Sequence, residues 1–453
     1  MKEADFNHAI PAQKAKSSEH KANAPHMFRT LTLLFTIVVC IIGTAQAQFT
    51  ISGEFRPRAE YRHGFKTLPE PDQDPAFFID QRTRLNLSYS NEKYDFKIVF
   101  QDVRTWGSQP QLVDNDGSLT TIHEAWAKVK LSEAFAIKAG RQEIIYDDHR
   151  IFGNVGWAQQ ARSHDAAILI FKPNALELNL GLAYNQDAPQ LNTTFYTIAN
   201  SYKTFQYLWA SRPFGDIKVS ALILNNGKQG GTVDDHNTYF SQTFGSRASY
   251  NGKKLKGNFA VYKQTGEEPD GETDINASYL ALDMTYSVLP NTSITTGVEL
   301  LSGNSPTDPD QENNAFNPFY GTNHKFNGLM DYFYVGNHIN SVGLQDAFIR
   351  LTQKSGKLSA SLTTHFFRSE EHLQNALNTE KLDKYLGTEM DLVLVYNAND
   401  EINLQAGYSH MFATDSMEAL KGGDKNETSN WAWLMLTIKP QLFTTKKEEE
   451  NAH

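Results

Sequence analysis

The stretch that decides the fold is FTISGEFRPRAEYR at residues 49–62, in which apolar and polar residues alternate one by one. Phe49 and Ile51 share one face of this stretch, whereas Glu54 and Arg56 lie on the other. Successive side chains of a β-strand point to opposite sides. The stretch therefore predicts a strand with one apolar face and one charged face.

The same period of two recurs along the rest of the chain, for example at Phe205, Tyr207 and Trp209, and no amphipathic helix intervenes. We expect the apolar faces to point outward. The pattern predicts eighteen strands, at approximately residues 49–62, 80–90, 94–105, 120–131, 135–143, 163–172, 175–184, 203–212, 216–225, 239–250, 253–264, 276–287, 291–302, 341–352, 356–367, 386–397, 400–411 and 429–440.

Short connections alternate strictly with long ones between these segments. The short ones carry turn residues, such as Asn251-Gly252 and Ser355-Gly356. We predict an all-β fold, an 18-stranded antiparallel transmembrane β-barrel with long extracellular loops and short periplasmic turns. A sheet in lipid must close on itself to satisfy its backbone polar groups. Repeated soluble sandwiches are the alternative, but they do not need alternating loop lengths.

The composition excludes three other classes of protein. The chain has a single long apolar run, residues 31–42, whereas a helical membrane protein needs repeated runs of about 20 apolar residues. Its 28 Phe, 19 Tyr and 6 Trp are too much apolar surface for a disordered chain. Its one cysteine, Cys40, excludes a disulfide framework.

The apolar run indicates secretion. It follows Arg29 and precedes Ala45-Gln46-Ala47, which has the spacing of a cleavage site, and a membrane anchor is the alternative. The outer membrane of a Gram-negative bacterium is the expected location. The predicted divisions are a leader and signal peptide at residues 1–47 with its true start at Met27, a barrel at residues 48–443, and a charged tail at residues 444–453.

A barrel of this size leaves an aqueous lumen unless loops fill it, so we expect the inward side chains to carry the function. The predicted pore-lining residues are Arg56, Arg58, Arg82, Arg84, Arg104, Lys128, Arg141, Glu54, Glu60, Glu124 and Glu143. The first four lie on adjacent strands and form a predicted selective ring. Guanidinium groups bind carboxylates bidentately, so the ring would attract anions, carboxylated sugars above all. Alternatively, Arg and Glu on neighbouring strands neutralise one another and brace the wall.

A motif starts at the end of the fifth predicted strand and continues beyond it. It begins Gly140-Arg141-Gln142, and its further residues are Asp147, Asp148, Arg150, Trp157, Arg162 and Asp165. Together with residues 55–62 and 81–85, this segment resembles the signature of the bacterial alginate export family of outer-membrane proteins. The resemblance implies an 18-stranded barrel whose electropositive lumen passes an anionic uronate polysaccharide outward. Periplasmic export partners are expected with it.

Other candidate sites are weaker. Asp147-Asp148-His149 could suggest acid–base chemistry, but no nucleophile lies beside it, so we predict no catalytic residue and no enzyme. Asp114 and Asp116 suggest a calcium loop, but their spacing with Glu124 does not fit the twelve-residue pattern. We therefore predict no metal and no cofactor, with calcium bound in a loop as the alternative. The sequence contains no nucleic-acid-binding motif.

The longest connection, residues 303–340, is rich in aromatic residues. So many rings would not stay in open solvent, so we expect this loop to fold inward or across the mouth of the barrel. Packing against the wall is the favoured role for these rings, and stacking against sugars is the alternative.

We predict an outer-membrane channel that passes anionic solutes, alginate-like or other acidic saccharides above all, through an Arg-rich lumen. Its other partners would be outer-membrane lipid and lipopolysaccharide. A general diffusion porin without strong selectivity is one alternative. A barrel enzyme or surface receptor that acts through its loops is another.

Overall fold

The computed structural model describes residues 47–112, 120–198, 202–230, 236–306, 312–375 and 380–445. Nearly all of the predicted leader, and the predicted tail from residue 446 onward, lie outside these residues. Asp114 and Asp116 of the candidate calcium loop lie outside them as well. The described residues belong to one compact unit that begins at Ala47.

Eighteen strands form the wall of a closed barrel. They are β1 (Gln48–His63), β2 (Ala76–Ser90), β3 (Tyr94–Thr105), β4 (Thr120–Lys130), β5 (Phe135–Gln142), β6 (His164–Phe171), β7 (Glu177–Tyr184), β8 (Thr204–Phe214), β9 (Ile217–Gln229), β10 (Thr238–Asn251), β11 (Leu255–Glu267), β12 (Asp274–Leu289), β13 (Thr292–Leu301), β14 (Leu344–Ser355), β15 (Leu358–Arg368), β16 (Tyr385–Asn397), β17 (Ile402–Ala413) and β18 (Ser429–Ile438). Each strand pairs antiparallel with the next, and β18 closes the barrel on β1. The predicted fold is confirmed.

Little regular structure lies outside the wall. Two short strands, Glu312–Asn313 and Gln441–Thr444, pair with β12 and β1. The second places Thr444 beside β1, so strand pairing continues into the start of the predicted tail. A 3-10 turn at Asn323–Lys325 and the helices α1 (Val335–His338) and α2 (Asp415–Lys421) lie in loops. None of the helices among the described residues is long and apolar enough to cross a membrane.

The alternation of the first strand is realised in the structure. Phe55 and Tyr61 are exposed on the outer face, whereas Glu54, Arg58 and Glu60 are buried inside the barrel. Apolar side chains that meet lipid and ionic side chains that line the interior are the expected arrangement for such a wall.

β8 reverses this arrangement. Phe205, Tyr207 and Trp209 are almost fully buried inside the barrel, and Leu208 between them is exposed outward. The expectation that these aromatic residues face outward is therefore wrong. Periodicity shows that two faces differ, but it does not show which of them packs against other protein.

Two loops fold into the lumen and give the barrel its interior core. The motif loop, residues 143–163, and the long loop, residues 302–343, are joined by backbone hydrogen bonds. The amide of Gly153 donates to Tyr320 O at 2.8 Å, and that of Thr322 donates to His149 O at 2.9 Å. The predicted inward folding of the long loop is confirmed.

Aromatic packing holds these loops against the wall. The rings of Phe152 and Tyr320 lie 5.4 Å apart, and each lies within 6 Å of the Phe205 ring of β8. Tyr320 and Tyr332 are almost fully buried. Because these rings fill the space between loops and wall, they are not available for stacking against sugars.

Candidate functional site

The four arginines predicted to form a selective ring lie together inside the barrel. We call Arg56, Arg58, Arg82 and Arg84 the arginine cluster. Arg56 on β1 lies directly opposite Arg82 on β2 in the strand register, which confirms that the two are adjacent. Their side chains, however, contact the motif loop.

Arg56 holds the motif loop directly. Its Nη1 donates to Gly156 O at 2.7 Å, and its Nε donates to Oε1 of Gln159 at 3.1 Å. It is 7% exposed, so little of its guanidinium is open to a solute in the lumen.

Arg58 contacts both the motif loop and carboxylates of the wall. Its Nη1 donates to Trp157 O at 2.6 Å, and the guanidinium carbon lies 4.0 Å from the centroid of the Trp157 ring. Its other nitrogens pair with Glu60 at 2.8 Å and Asp80 at 3.0 Å. Guanidinium groups are suited to such combined stacking and hydrogen bonding.

The other two arginines of the cluster are also paired. Arg82 forms a buried ion pair with Glu54 and donates to Gln159 O at 3.3 Å. Arg84 donates to Gln101 Oε1 at 2.7 Å and lies 3.8 Å from a carboxylate oxygen of Glu143.

Nearby inward charges on β3 and β4 form pairs of their own. Lys128 lies 2.9 Å from Asp95, and Glu124 accepts from Lys97 at 2.5 Å. These contacts match the arrangement in which Arg, Lys and Glu neutralise one another and brace the wall.

Two predicted pore-lining residues lie on the outer face instead. Arg104 is opposite Gln81 in the register, on the same face of β2 as the exposed Leu85, and pairs with Asp102 at 2.6 Å. Arg141 pairs with Asp165 at 2.8 Å.

Arg104 and Arg141 face outward because of their positions along their strands, in which successive side chains alternate between the two faces. Arg104 is seven positions from the inward Lys97, and Arg141 is three positions from Lys138, whose ammonium lies 4.1 Å from the inward Trp126 ring. An odd separation puts two residues of a regular strand on opposite faces. The placement of Arg104 and Arg141 in the lumen is corrected accordingly.

The family-motif residues fix both ends of the motif loop. On the side of β8 and β10, Asp147 accepts from the Trp209 indole at 3.0 Å, and Asp148 pairs with Arg247 at 2.5 Å. On the side of β1 and β18, the Trp157 ring packs against Trp433 with centroids 4.8 Å apart. The loop therefore crosses the lumen.

The two remaining motif arginines connect the motif loop to the long loop. Arg162 donates to Gly321 O at 3.2 Å. Arg150 is 2% exposed, donates to Asn327 Oδ1 at 3.0 Å and pairs with Glu299 of β13 at 3.0 Å. Burial by itself lowers the pKa of Arg150, but Glu299, Tyr279 and Asp148 together outweigh burial, so the pKa is raised above its ordinary value.

The tip of the long loop is held by carboxylates of the wall. Asn327 donates to Glu299 at 2.9 Å and to Asp346 at 3.2 Å, and the amide of Met330 donates to Glu389 at 2.9 Å. Gly328 has φ +82° and packs so closely on Glu389 that a Cβ atom would lie 2.6 Å from its carboxylate oxygen. Only glycine fits this contact.

Below the loops, on the side of β10–β14, an open cavity of about 220 Å³ remains. We call it the mixed-charge cavity and define it by six of its lining residues, Asp148, Arg247, Asp283, Lys325, Phe348 and Arg350. It adjoins a cavity of about 340 Å³ through Lys325 and Arg350, and one of about 250 Å³ through Asp148 and Arg247.

Two cations of this cavity differ from the arginine cluster. Arg350 on β14 donates to Thr363 Oγ1 at 2.9 Å, and Lys325 of the long loop donates to the backbone oxygen of Asp148 at 2.9 Å. Among the described residues, neither has a carboxylate within 4.0 Å. Both side chains line the cavity.

The residues predicted from the sequence to line the pore do not include Arg350, Lys325 or Asp283. The parity of β12 and β14 could have placed Asp283 and Arg350 inside the barrel. Nothing in the sequence shows that Lys325, in a loop, would lie beside Arg350.

Metal sites are not apparent in the described part of the chain, where no group of three or more His, Cys, Asp or Glu side chains is arranged to hold an ion. The calcium alternative for Asp114 and Asp116 stays a prediction, since both lie outside that part.

Comparison with known proteins agrees with this architecture. A family model described as alginate export matches residues 47–430. Similar solved structures include OccK9 (OpdG) of Pseudomonas aeruginosa, at 12% identity and TM-score 0.59, covering 87% of this chain and 98% of that chain. OccAB4 of Acinetobacter baumannii has 11% identity and TM-score 0.59, with 88% and 98% covered.

A third similar structure is OpdK of Pseudomonas aeruginosa solved with vanillate, at 12% identity and TM-score 0.55, with 87% of this chain and 99% of that chain covered. At these identities the likeness shows the fold. We find no curated protein that matches this chain. The family match extends over most of the chain and the barrel is closed, so this protein is an outer-membrane channel of Gram-negative bacteria and belongs to the alginate export family.

Proposed function

We propose that the channel passes solutes that carry a carboxylate, acidic saccharides included, and that Lys325 and Arg350 of the mixed-charge cavity provide the attraction. The observation that supports this proposal is the contrast in pairing. These two cations have no carboxylate within 4.0 Å among the described residues, whereas the arginine cluster is bound to acids or to loop carbonyls.

The chemistry of the two groups suits carboxylates. A guanidinium presents a planar pair of donors to both oxygens, and an ammonium adds a mobile point charge. In a pore whose walls have a low dielectric constant, such charges raise the local concentration of anions. Lys325 and Arg350 line two adjoining cavities, so a solute that leaves one cavity remains beside both charges.

The arginine cluster has a different role in this proposal. Each of its guanidinium groups already holds the motif loop or a wall carboxylate, so the cluster fixes the shape of the lumen. A solute would have to displace these contacts to bind there. Breaking hydrogen bonds of buried charged groups costs about 1.5–3 kcal/mol each.

Reversal potentials in planar bilayers under a salt gradient test the proposal. The wild type should prefer anions, and the double variant Lys325→Gln/Arg350→Gln should reduce the ratio of anion to cation permeability severalfold. The matched control is Lys172→Gln/Arg212→Gln, which removes two exposed positive charges near the periplasmic turns. An unselective wild type would favour a general diffusion porin, and an unchanged ratio in the lumen variant would overturn the proposal.

Catalysis is not part of the proposed function. Asp147 is bound to Trp209 and Asp148 to Arg247, so both carboxylates are committed to holding the motif loop. Hydrolase assays on the wild type and on Asp148→Ala test the enzyme alternative, which requires an activity that the variant loses.

The surroundings of the barrel also belong to the proposal. The outer face carries exposed apolar side chains such as Leu282 and Leu392, which suit contact with lipid. We expect lipopolysaccharide around the extracellular rim and periplasmic export partners at the opposite end.

A further inference from the structure

The mixed-charge cavity also contains an acid without a cationic partner. Asp283 of β12 accepts a hydrogen bond from Nδ2 of Asn258 at 2.9 Å. Among the described residues, no Lys, Arg or His nitrogen lies within 4.0 Å of its carboxylate. Asp283 lines the same cavity as Lys325 and Arg350.

The other acids of the cavity are already paired. Asp148 pairs with Arg247 at 2.5 Å, and Glu299 pairs with Arg150 at 3.0 Å. Asp346 lies 2.9 Å from Nδ1 of His365. Among the charged groups that line this cavity, those without an ion-pair or histidine partner within 4.0 Å are therefore two cations, Lys325 and Arg350, and one carboxylate, Asp283.

We infer that the mixed-charge cavity is a two-ended binding site for a small zwitterion, an α-amino acid, whose carboxylate binds at Arg350 and Lys325 and whose ammonium binds at Asp283. This inference rests on the proposed function, because it uses the same two cations. It adds the second end of the site and the class of solute.

The placement of these charges, rather than their sum, favours a zwitterion over a simple anion, because Asp283 lines the same cavity as the two cations. A carboxylate that approaches Arg350 and Lys325 also meets the field of Asp283, and only a solute with its own positive group turns that field into an attraction. Walls of low dielectric constant focus the fields of these charges, so opposite charges on one cavity would define the orientation of the solute.

The size of the site favours a single small molecule. Its volume of about 220 Å³ is below the roughly 300–1,000 Å³ of sites for drug-sized ligands. The motif loop and the long loop close it from above through the contacts of Asp148 and Asn327. The rings of Phe326 and Phe348 also line it and offer an apolar surface to a side chain.

Block of single-channel chloride current by solutes of similar size tests the inference. Alanine is the zwitterion, lactate the anion and lactamide the neutral reference, each added over a series of concentrations at pH 7. In the wild type, alanine should block at severalfold lower concentration than lactate, and lactamide should block least.

Two variants should change this order in different ways. Asp283→Asn should weaken the block by alanine severalfold and strengthen the block by lactate, which reverses the order. Arg350→Gln should weaken the block by alanine and the block by lactate. The matched controls are Asp400→Asn, in a periplasmic turn, and Arg212→Gln, on the outer face. Both should retain the wild-type order.

The outcomes separate the two claims. If the wild type prefers anions in the reversal-potential measurement but alanine blocks no better than lactate, or if Asp283→Asn leaves the order unchanged, the zwitterion site is wrong and the proposed function stands. If the wild type shows no preference for anions, the proposed function fails. Heat-modifiable mobility on gels shows whether each variant has folded.

Discussion

The two charged regions of the lumen are built from the same residue types and differ in what their charges touch. In the arginine cluster, each guanidinium binds a carboxylate or the backbone of the motif loop, and Arg56, Arg58 and Arg82 are at most 7% exposed. In the mixed-charge cavity, Lys325 and Arg350 contact a backbone oxygen and a hydroxyl. The number of cations on a wall does not identify the surface that a solute meets. Pairing and burial do.

The largest expected effect comes from breaking a buried pair that joins the motif loop to the barrel wall. Glu299→Gln leaves Arg150 buried without its carboxylate, and the loss of one partner of a buried pair costs about 3–5 kcal/mol. The free energy of unfolding, measured by urea titration in detergent or lipid, should fall by this amount. Glu177→Gln, which breaks an exposed pair with Lys172, should cost less than about 1 kcal/mol.

Removing the arginine cluster's hold on the motif loop should affect conductance more than selectivity. Arg56→Ala/Arg58→Ala leaves carbonyls of residues 156 and 157 without donors, at about 1–3 kcal/mol each. The loosened loop should increase single-channel conductance while the anion preference persists. A lost anion preference at unchanged conductance would show that these arginines select the solute, which would reverse the comparison.

Gly328, at the tip of the long loop, tests how firmly Glu389 of the wall holds that loop. Gly328→Ala places a methyl group against Glu389 and should displace the tip of the long loop, with increased conductance and faster proteolysis of that loop. Gly215→Ala is the matched control, because it also has positive φ, +61°, but no atom within 4 Å of the new Cβ. Both variants carry backbone strain of about 1–2 kcal/mol. Equal proteolysis of the two variants would contradict the anchoring role of Glu389.

A smaller effect concerns pH at the extracellular side. Burial lowers the pKa of Lys421, on α2, to about 7, and its Nζ donates to Asn337 O at 2.8 Å. The unfolded chain binds this proton more tightly, so the contribution of Lys421 to stability should rise as the pH increases from about 7 toward the ordinary lysine value. The difference in urea midpoint between the wild type and Lys421→Met should therefore change between pH 7 and pH 9. A constant difference would contradict the lowered pKa.

The smallest effect is expected on the outer face. Arg141→Ala removes a charge whose partner is Asp165, outside the lumen, so the reversal potential should not change. A shift in reversal potential as large as the one expected for Arg350→Gln would show that Arg141 lines the pore.

Most of the fold could be predicted because a closed barrel repeats one simple rule. The period of two placed all eighteen strands within a few residues of their observed bounds, and the same parity, applied consistently, would have excluded Arg104 and Arg141 from the lumen. The reversed face of β8 could not be predicted. Phe205 and Trp209 face inward because the motif loop offers them an apolar partner there, and that partner is distant in sequence.

By itself, the sequence determined the closed wall, since alternating strands with an apolar face in lipid can satisfy their backbone groups only by closing. It also determined which charged residues of a strand share a face. Only the tertiary structure decided which of those charges are free. Pairing depends on loops that return from distant positions to the lumen. Arg56 therefore contacts the backbone of Gly156, whereas Arg350 donates to the Thr363 hydroxyl and lines the same cavity as Lys325.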